Sequence, residues 1–137
     1  MKEEKNTIRV VYCEPGRIAR ITEIETGLAA MQRVVGGGYI EACYPFEEEV
    51  CIVCNDEGKF NGMRPCRAVH DENGKVQDII FGPFFICDCR GEDFASLSDE
   101  QAKKYMEIFL LPETYMRMGN EIVAVPYEPK EAGISAS

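Results

Sequence analysis

Residues 50–54 and 84–89 read VCIVC and FFICDC, two short runs of β-branched, aromatic and cysteine residues between turn-forming stretches. Such runs specify extended strands, and that decides what their cysteines can do. A zinc knuckle holds the thiols of a C-x-x-C on a tight turn, so that both sit about 2.3 Å from one ion. Side chains on a strand alternate between faces, so Cys51 and Cys54 are expected on opposite sides. Cys87 and Cys89 share a face with Asp88 on the other, and one such pair does not complete a tetrahedral site. Cys13, Cys43, Cys51 and Cys54 are therefore expected to act as small buried hydrophobes. No metal and no other cofactor is expected.

The rest of the chain mixes strands and helices. IRVVYCEPGRIARITEI (8–24) predicts a hairpin around Glu14-Pro15-Gly16, where Pro presets φ and Gly takes the positive-φ position. Thr26 is expected to cap a short helix whose buried stripe is Leu28, Met31 and Val35, ended by Gly36, Gly37 and Gly38. Residues 39–44 and 50–54 predict strands joined through Pro45 and a solvated acidic run, Glu47 to Glu49. Residues 55–59 (NDEGK) and 70–75 (HDENGK) predict turns. Gly62 and Pro65 break both periods, so residues 60–69 are expected to be irregular. Strands are expected at 76–80 and from Phe84 onward.

A second helix opens at Ser98, whose capping-box partner is Gln101, and Pro112 stops it. Its buried stripe is Ala102, Tyr105 or Met106, and Phe109. EIVAVPY (121–127) predicts an edge strand limited by Pro126, and KEAGISAS (130–137) a frayed tail. The expected fold class is α+β: a mostly antiparallel sheet of five or six strands with two helices on one face. Residues 1–112 would form one domain, and residues 113–137 a C-terminal extension.

At 137 residues, 45% of them hydrophobic, the chain can bury a core without metal or disulfide. A net charge of −9 argues against nucleic-acid binding, which rests on Lys and Arg. No window approaches the ~20 apolar residues of a membrane span. The charged start and seven cysteines, an odd number, predict reduced thiols in the cytoplasm. Exposed strand edges are compatible with a homodimer.

Catalytic constellations are hard to assemble. A redox C-x-x-C needs a helix N-terminus to lower the thiol pKa, and Cys51 lies in a strand. Gly36 to Gly38 follow a helix, at the carbonyl end, where a phosphate loop would precede one. As calcium loops the two acidic turns fail: Gly58 at position 6 puts Val53 at 1 and Arg64 at 12, and Gly74 there puts Val69 and Ile80. His70, the single imidazole, could pair with Cys66, but a solvated loop histidine is the plainer reading. Arg64, Arg67 and His70 remain as a basic cluster in an acidic chain, the candidate ligand-binding residues for an anion.

MQRVVGGGYIEACYPF, VCIVCNDEGKFNGMRPCRAV, DIIFGPFFICD and FASLSDEQAKKYMEIF, in that order and spacing, resemble a family of small proteins from bacteriophages, plasmids and integrated elements of Gram-positive bacteria, catalogued as domain of unknown function 3846. The resemblance covers about residues 8–110. It is carried by Val35-Gly36-Gly37, Ile40-Glu41, NDEGK at 55–59, Arg67-Ala68, Gly82-Pro83-Phe84 and Leu97-Ser98-Asp99, with Cys66 where the pattern has Asn. It implies no catalytic residues. It implies an accessory protein of a mobile element, cytoplasmic in the bacterial host, not an enzyme, that binds and inhibits or sequesters a host factor. A sponge for an anionic small molecule such as a signalling nucleotide is the alternative, and a thiol- or zinc-dependent enzyme a second. For the sponge, Arg67→Ala is expected to abolish binding while the melting temperature stays within a few degrees.

Overall fold

A computed structural model of the chain describes residues 6–130. The first two strands, β1 (Thr7–Cys13) and β2 (Arg20–Glu25), form the expected antiparallel hairpin. Gly16 has φ 77° and Arg17 N donates to Glu14 O at 3.2 Å, the turn that Pro15-Gly16 encodes. After α1 (Leu28–Val34) come β3 (Ile40–Cys43), β4 (Val50–Asn55), β5 (Pro65–His70), β6 (Val76–Phe81) and β7 (Phe84–Asp88). The chain continues through α2 (Asp99–Ile108), β8 (Glu113–Met118) and β9 (Glu121–Pro126). The five-stranded sheet has the order β2-β1-β7-β4-β3, antiparallel throughout. The hairpins β5–β6 and β8–β9 form separate two-stranded sheets. The fold is α+β, built mostly of sheet.

The central strands β4 and β7 are buried along their whole length. Val50, Ile52, Cys54, Phe84 and Ile86 pack on one face with Ala102, Tyr105 and Phe109 of α2 and with Cys66, Val69 and Ile80 from the β5–β6 hairpin. Cys51, Val53, Phe85 and Cys87 pack on the other with Met31 of α1 and Val35. Cys51 and Cys54 do point to opposite sides. The helices therefore cover opposite faces of the sheet, where one shared face was expected. The reason is physical: strands apolar at every position must be covered on both sides.

Other details also depart from the reading by pattern. Gly27, not Thr26, is the α1 N-cap, without a side-chain hydrogen bond; the Thr26 hydroxyl donates to Asn6 O instead. Leu28 is 62% exposed, so the buried residues at this helix are Ala30, Met31 and Val35. Residues 65–69, expected to be irregular, and His70, expected to open a turn, form β5. Irregularities between Pro65 and Arg67 and between Val69 and His70 disturb the alternation that a pattern search needs. β9 pairs with β8 in its own hairpin and not at an edge of the main sheet; β8 lies against β5, and β9 against β6. The tail read as frayed falls, from residue 131, outside the described residues.

The second helix follows its sequence closely. Ser98 accepts from Gln101 N while the Gln101 side chain accepts from Ser98 N, a reciprocal cap that contributes about 1 kcal/mol. The acidic run before β4 is not simply solvated, because Glu48 accepts from Lys104 Nζ at 2.8 Å, Tyr105 Oη at 2.5 Å and Gln101 Nε2 at 3.4 Å. The bonds from Lys104 and then Tyr105 hold the Glu48 carboxyl below its ordinary value of 4.5. A depressed carboxyl stabilises the fold above its unfolded pKa, and that stability is lost as pH falls through the folded value. Glu48→Gln is thus expected to be less stable than the parent at pH 7. The difference should vanish once pH falls below the folded pKa, as read from urea unfolding at both ends.

Candidate functional site

Arg67 is fully buried. Its Nε donates to Phe109 O at 2.9 Å, Nη1 to Glu14 O at 3.4 Å and Cys66 O at 2.9 Å, and Nη2 to Arg17 O at 2.7 Å. One guanidinium thereby joins the β1–β2 turn, β5 and the end of α2. With these donors on backbone carbonyls, Arg67 clamps three parts of the fold together. Arg64 is exposed, and its guanidinium lies over Gly16 of the same turn, 3.2 Å from where a Cβ would stand. His70 is exposed at the far end of β5, paired in register with Val76. Arg64 and Arg67 thus both reach the turn at residues 14–17, whereas His70 stands at the other end of β5.

The other candidates divide in the same way. Cys66 is buried, and burial together with neighbouring Cys13 pushes its thiol far above the ordinary value. Burial also pushes Cys13 up to about 12. Neither is a ready nucleophile at neutral pH. Cys51 and Cys87 face each other across β4 and β7 with their sulfurs 3.8 Å apart, both fully buried. The hydrogen bond shared with Cys51, and then burial, raise the Cys87 thiol. Gly36 N bonds Arg33 O and Gly37 N bonds Gln32 O, so the glycine run closes α1 at its carbonyl end as expected. Asn55 reaches back to this turn, donating to Val35 O at 3.1 Å and to Gly37 O while its Oδ1 accepts from Glu57 N. Gly58 presses on β6: a Cβ there would lie 2.5 Å from Phe81 O.

What pattern reading missed lies on the β3 edge. Glu41 stands directly opposite Cys54 in the β3–β4 register, and Cys43 follows on the same face of β3. The carboxylate and the two sulfurs all lie within 4.8 Å of one another. They open into a cavity of about 270 Å³ that is walled on the other side by Lys59, Phe60 and Asp78. Burial and then the charge of Glu41 raise the Cys43 thiol; burial, Cys43 and Glu41 raise that of Cys54 further. Asp78 is held by Lys59 at 3.3 Å. A second depression of about 360 Å³ shares Cys43, Asp78 and Ile80 and continues past Tyr44. Three aromatic side chains stand out along this edge, Tyr39 at 74%, Tyr44 at 65% and Phe60 at 89% exposure. Half of this was readable, since Glu41 and Cys43 are two apart in a predicted strand. The register that adds Cys54 was not.

The family model of the domain of unknown function DUF3846 matches residues 8–110. The chain belongs to this family. Comparison with curated proteins and with solved structures found no match. The DUF3846 match contains the whole β3 edge and its cavity, and it ends before the β8–β9 hairpin begins at Glu113. Several residues that carry the likeness to DUF3846 are fold determinants: Asn55 and Gly58 shape the loop after β4, Arg67 ties three elements together, and Ser98 caps α2. Among the described residues, no helix is long and apolar enough to cross a membrane.

Proposed function

We propose that this DUF3846 protein is a non-enzymatic binding protein that occupies a basic surface of a protein partner through the β3 edge. The observation that carries this reading is the exposed trio Tyr39, Tyr44 and Phe60 near a strand edge that is unpaired among the described residues. Large aromatic side chains supply most of the binding energy in protein interfaces when they are buried by a partner, and an edge strand offers backbone groups for pairing. The charge around them favours a cationic partner. The chain carries −9 overall, while Arg9, Arg20, Arg33, Lys59, Lys75, Arg90 and Lys104 are each already paired with a carboxylate. Glu47, Glu49, Asp56 and Glu57 add exposed acid close to the edge. In the setting that the resemblance implies, the partner is a host factor and the protein an accessory of a phage or other mobile element acting in the host cytoplasm. The sponge reading loses its main cation, since Arg67 is engaged by backbone carbonyls.

The test is affinity capture from a Gram-positive host extract, comparing the parent with a Tyr39→Ala/Tyr44→Ala/Phe60→Ala variant at low salt and at about 1 M salt, where exposed charges are screened within ~3 Å. A partner held by the parent, released by salt and lost in the variant is the expected result. A partner held equally by the variant would remove the β3 edge from the proposal, and turnover of a substrate by the purified protein would remove the non-enzymatic reading.

A further inference from the structure

We propose that Glu41, Cys43 and Cys54 form a binding site for a divalent metal ion of the zinc class, with one coordination position open to the cavity between β3 and β6. Three potential ligand atoms within 4.8 Å of each other stand at most about 2.8 Å from the centre of their triangle, against roughly 2.3 Å for Zn–S and 2.0–2.2 Å for Zn–O. Small side-chain rotations close that difference. The backbone already supplies the arrangement, because cross-strand partners and same-face neighbours on paired strands are held at fixed separations by the ladder.

The donor set selects the ion. Two thiolates are soft ligands and disfavour magnesium and calcium, which take oxygen. Two cysteines fall short of the four that hold an iron–sulfur cluster. Two thiolates with one carboxylate and an open fourth position suit a tetrahedral zinc-type ion. The cavity of about 270 Å³ gives that position access to solvent, and Asp78 on the far wall adds negative potential, although Lys59 engages it directly. Binding would displace the two thiol protons to solvent, so the net charge of the group stays the same as one divalent ion enters and two protons leave. It would also pin β3, an edge strand that among the described residues pairs with β4 alone. Of the five remaining thiols, Cys51, Cys87 and Cys89 belong to the opposite face of the sheet, and Cys13 and Cys66 share the core on the Cys54 side without joining the group. The site does not depend on the docking surface proposed above, whose aromatic residues contribute no ligand.

Titration of the full-length, reduced protein with Co²⁺ and then Zn²⁺ tests the assignment. Expected are one Co²⁺ per chain by native mass spectrometry, a thiolate-to-cobalt charge-transfer band with tetrahedral d–d absorption, and displacement by Zn²⁺. Glu41 is exposed, so Glu41→Gln leaves the core intact and should weaken zinc binding by about tenfold or more, a loss of at least ~1.4 kcal/mol. Cys43→Ser should abolish the charge-transfer intensity of its thiolate, whereas Cys89→Ser should leave both affinity and spectrum unchanged. A charge-transfer band that survives in Cys43→Ser at full intensity, zinc affinity unchanged in Glu41→Gln, or the absence of any thiolate band in the folded parent would each overturn the assignment. A Tyr39→Ala/Tyr44→Ala variant, which leaves Phe60 in the cavity wall, should bind Co²⁺ as the parent does, which separates the failure of this site from failure of the docking surface.

Discussion

Replacing Arg67 with alanine is expected to destabilise the fold by about 3–5 kcal/mol, lowering the melting temperature by 10 °C or more, on the order of several degrees per kcal/mol at this size. The guanidinium is fully buried and bonds carbonyls of Glu14, Cys66, Arg17 and Phe109. Alanine leaves those acceptors without their donors, at roughly 1–3 kcal/mol for each group that water cannot reach, and opens a cavity as well. Lysine should recover little, since one ammonium cannot span a planar array of partners. Urea unfolding followed by circular dichroism measures the effect. A shift of only a few degrees would mean that the carbonyls are satisfied otherwise and that Arg67 is free for a ligand, as the sequence had suggested.

Tyr105→Ala is expected to cost about as much, ~3–5 kcal/mol. Its ring is completely buried under α2, 4.7 Å centroid to centroid from Phe46, which meets Phe109, and Phe109 in turn meets Phe84. The hydroxyl adds the bond to Glu48, so Tyr105→Phe isolates that part and should cost only about 1 kcal/mol. Comparing the two variants by thermal and urea unfolding separates packing from hydrogen bonding. Equal losses would show that the hydroxyl, not the ring, anchors the helix. Hydrogen exchange should show α2 opening first in the alanine variant, because Ala102 and Phe109 are then its remaining buried anchors.

The two functional readings rest on different parts of one edge. The aromatic trio would meet a partner, and the Glu41–Cys43–Cys54 group lines the cavity that Phe60 borders. An ion at that group would stiffen the strand that the partner is proposed to engage. Metal binding should therefore favour docking if both readings hold, a linkage that capture with and without added zinc would expose.

Local chemistry made much of the fold legible. The Pro15-Gly16 turn, the Ser98 cap and the strand character of residues 50–54 and 84–88 all follow from rules that act over a few residues, where sequence neighbours are also spatial neighbours. The same rules correctly separated Cys51 from Cys54, since alternation along a strand needs no partner. The covering of both sheet faces was also present in the unbroken apolar runs, and was missed only because the helices were assigned to one side. β5 escaped because its irregular ladder blurs the two-residue period.

Long-range register decided the rest. Arg67 is a cation in an acidic chain until the turn at residues 14–17 and the end of α2 close over it, and no local rule reports which carbonyls will arrive. Glu48 is one of three glutamates in a row until α2 brings Lys104 and Tyr105 to it. Cys54 is paired in sequence with Cys51 by its spacing, but in space with Glu41 and Cys43 by the β3–β4 ladder. Sequence by itself determined the first turn, the capped second helix, the strand character and alternation of β4 and β7, and the membership in DUF3846 that the order of its motifs reveals. The tertiary structure alone decided which charges are buried and which thiols share a cavity, because those depend on contacts between strands whose pairing is a property of the whole sheet.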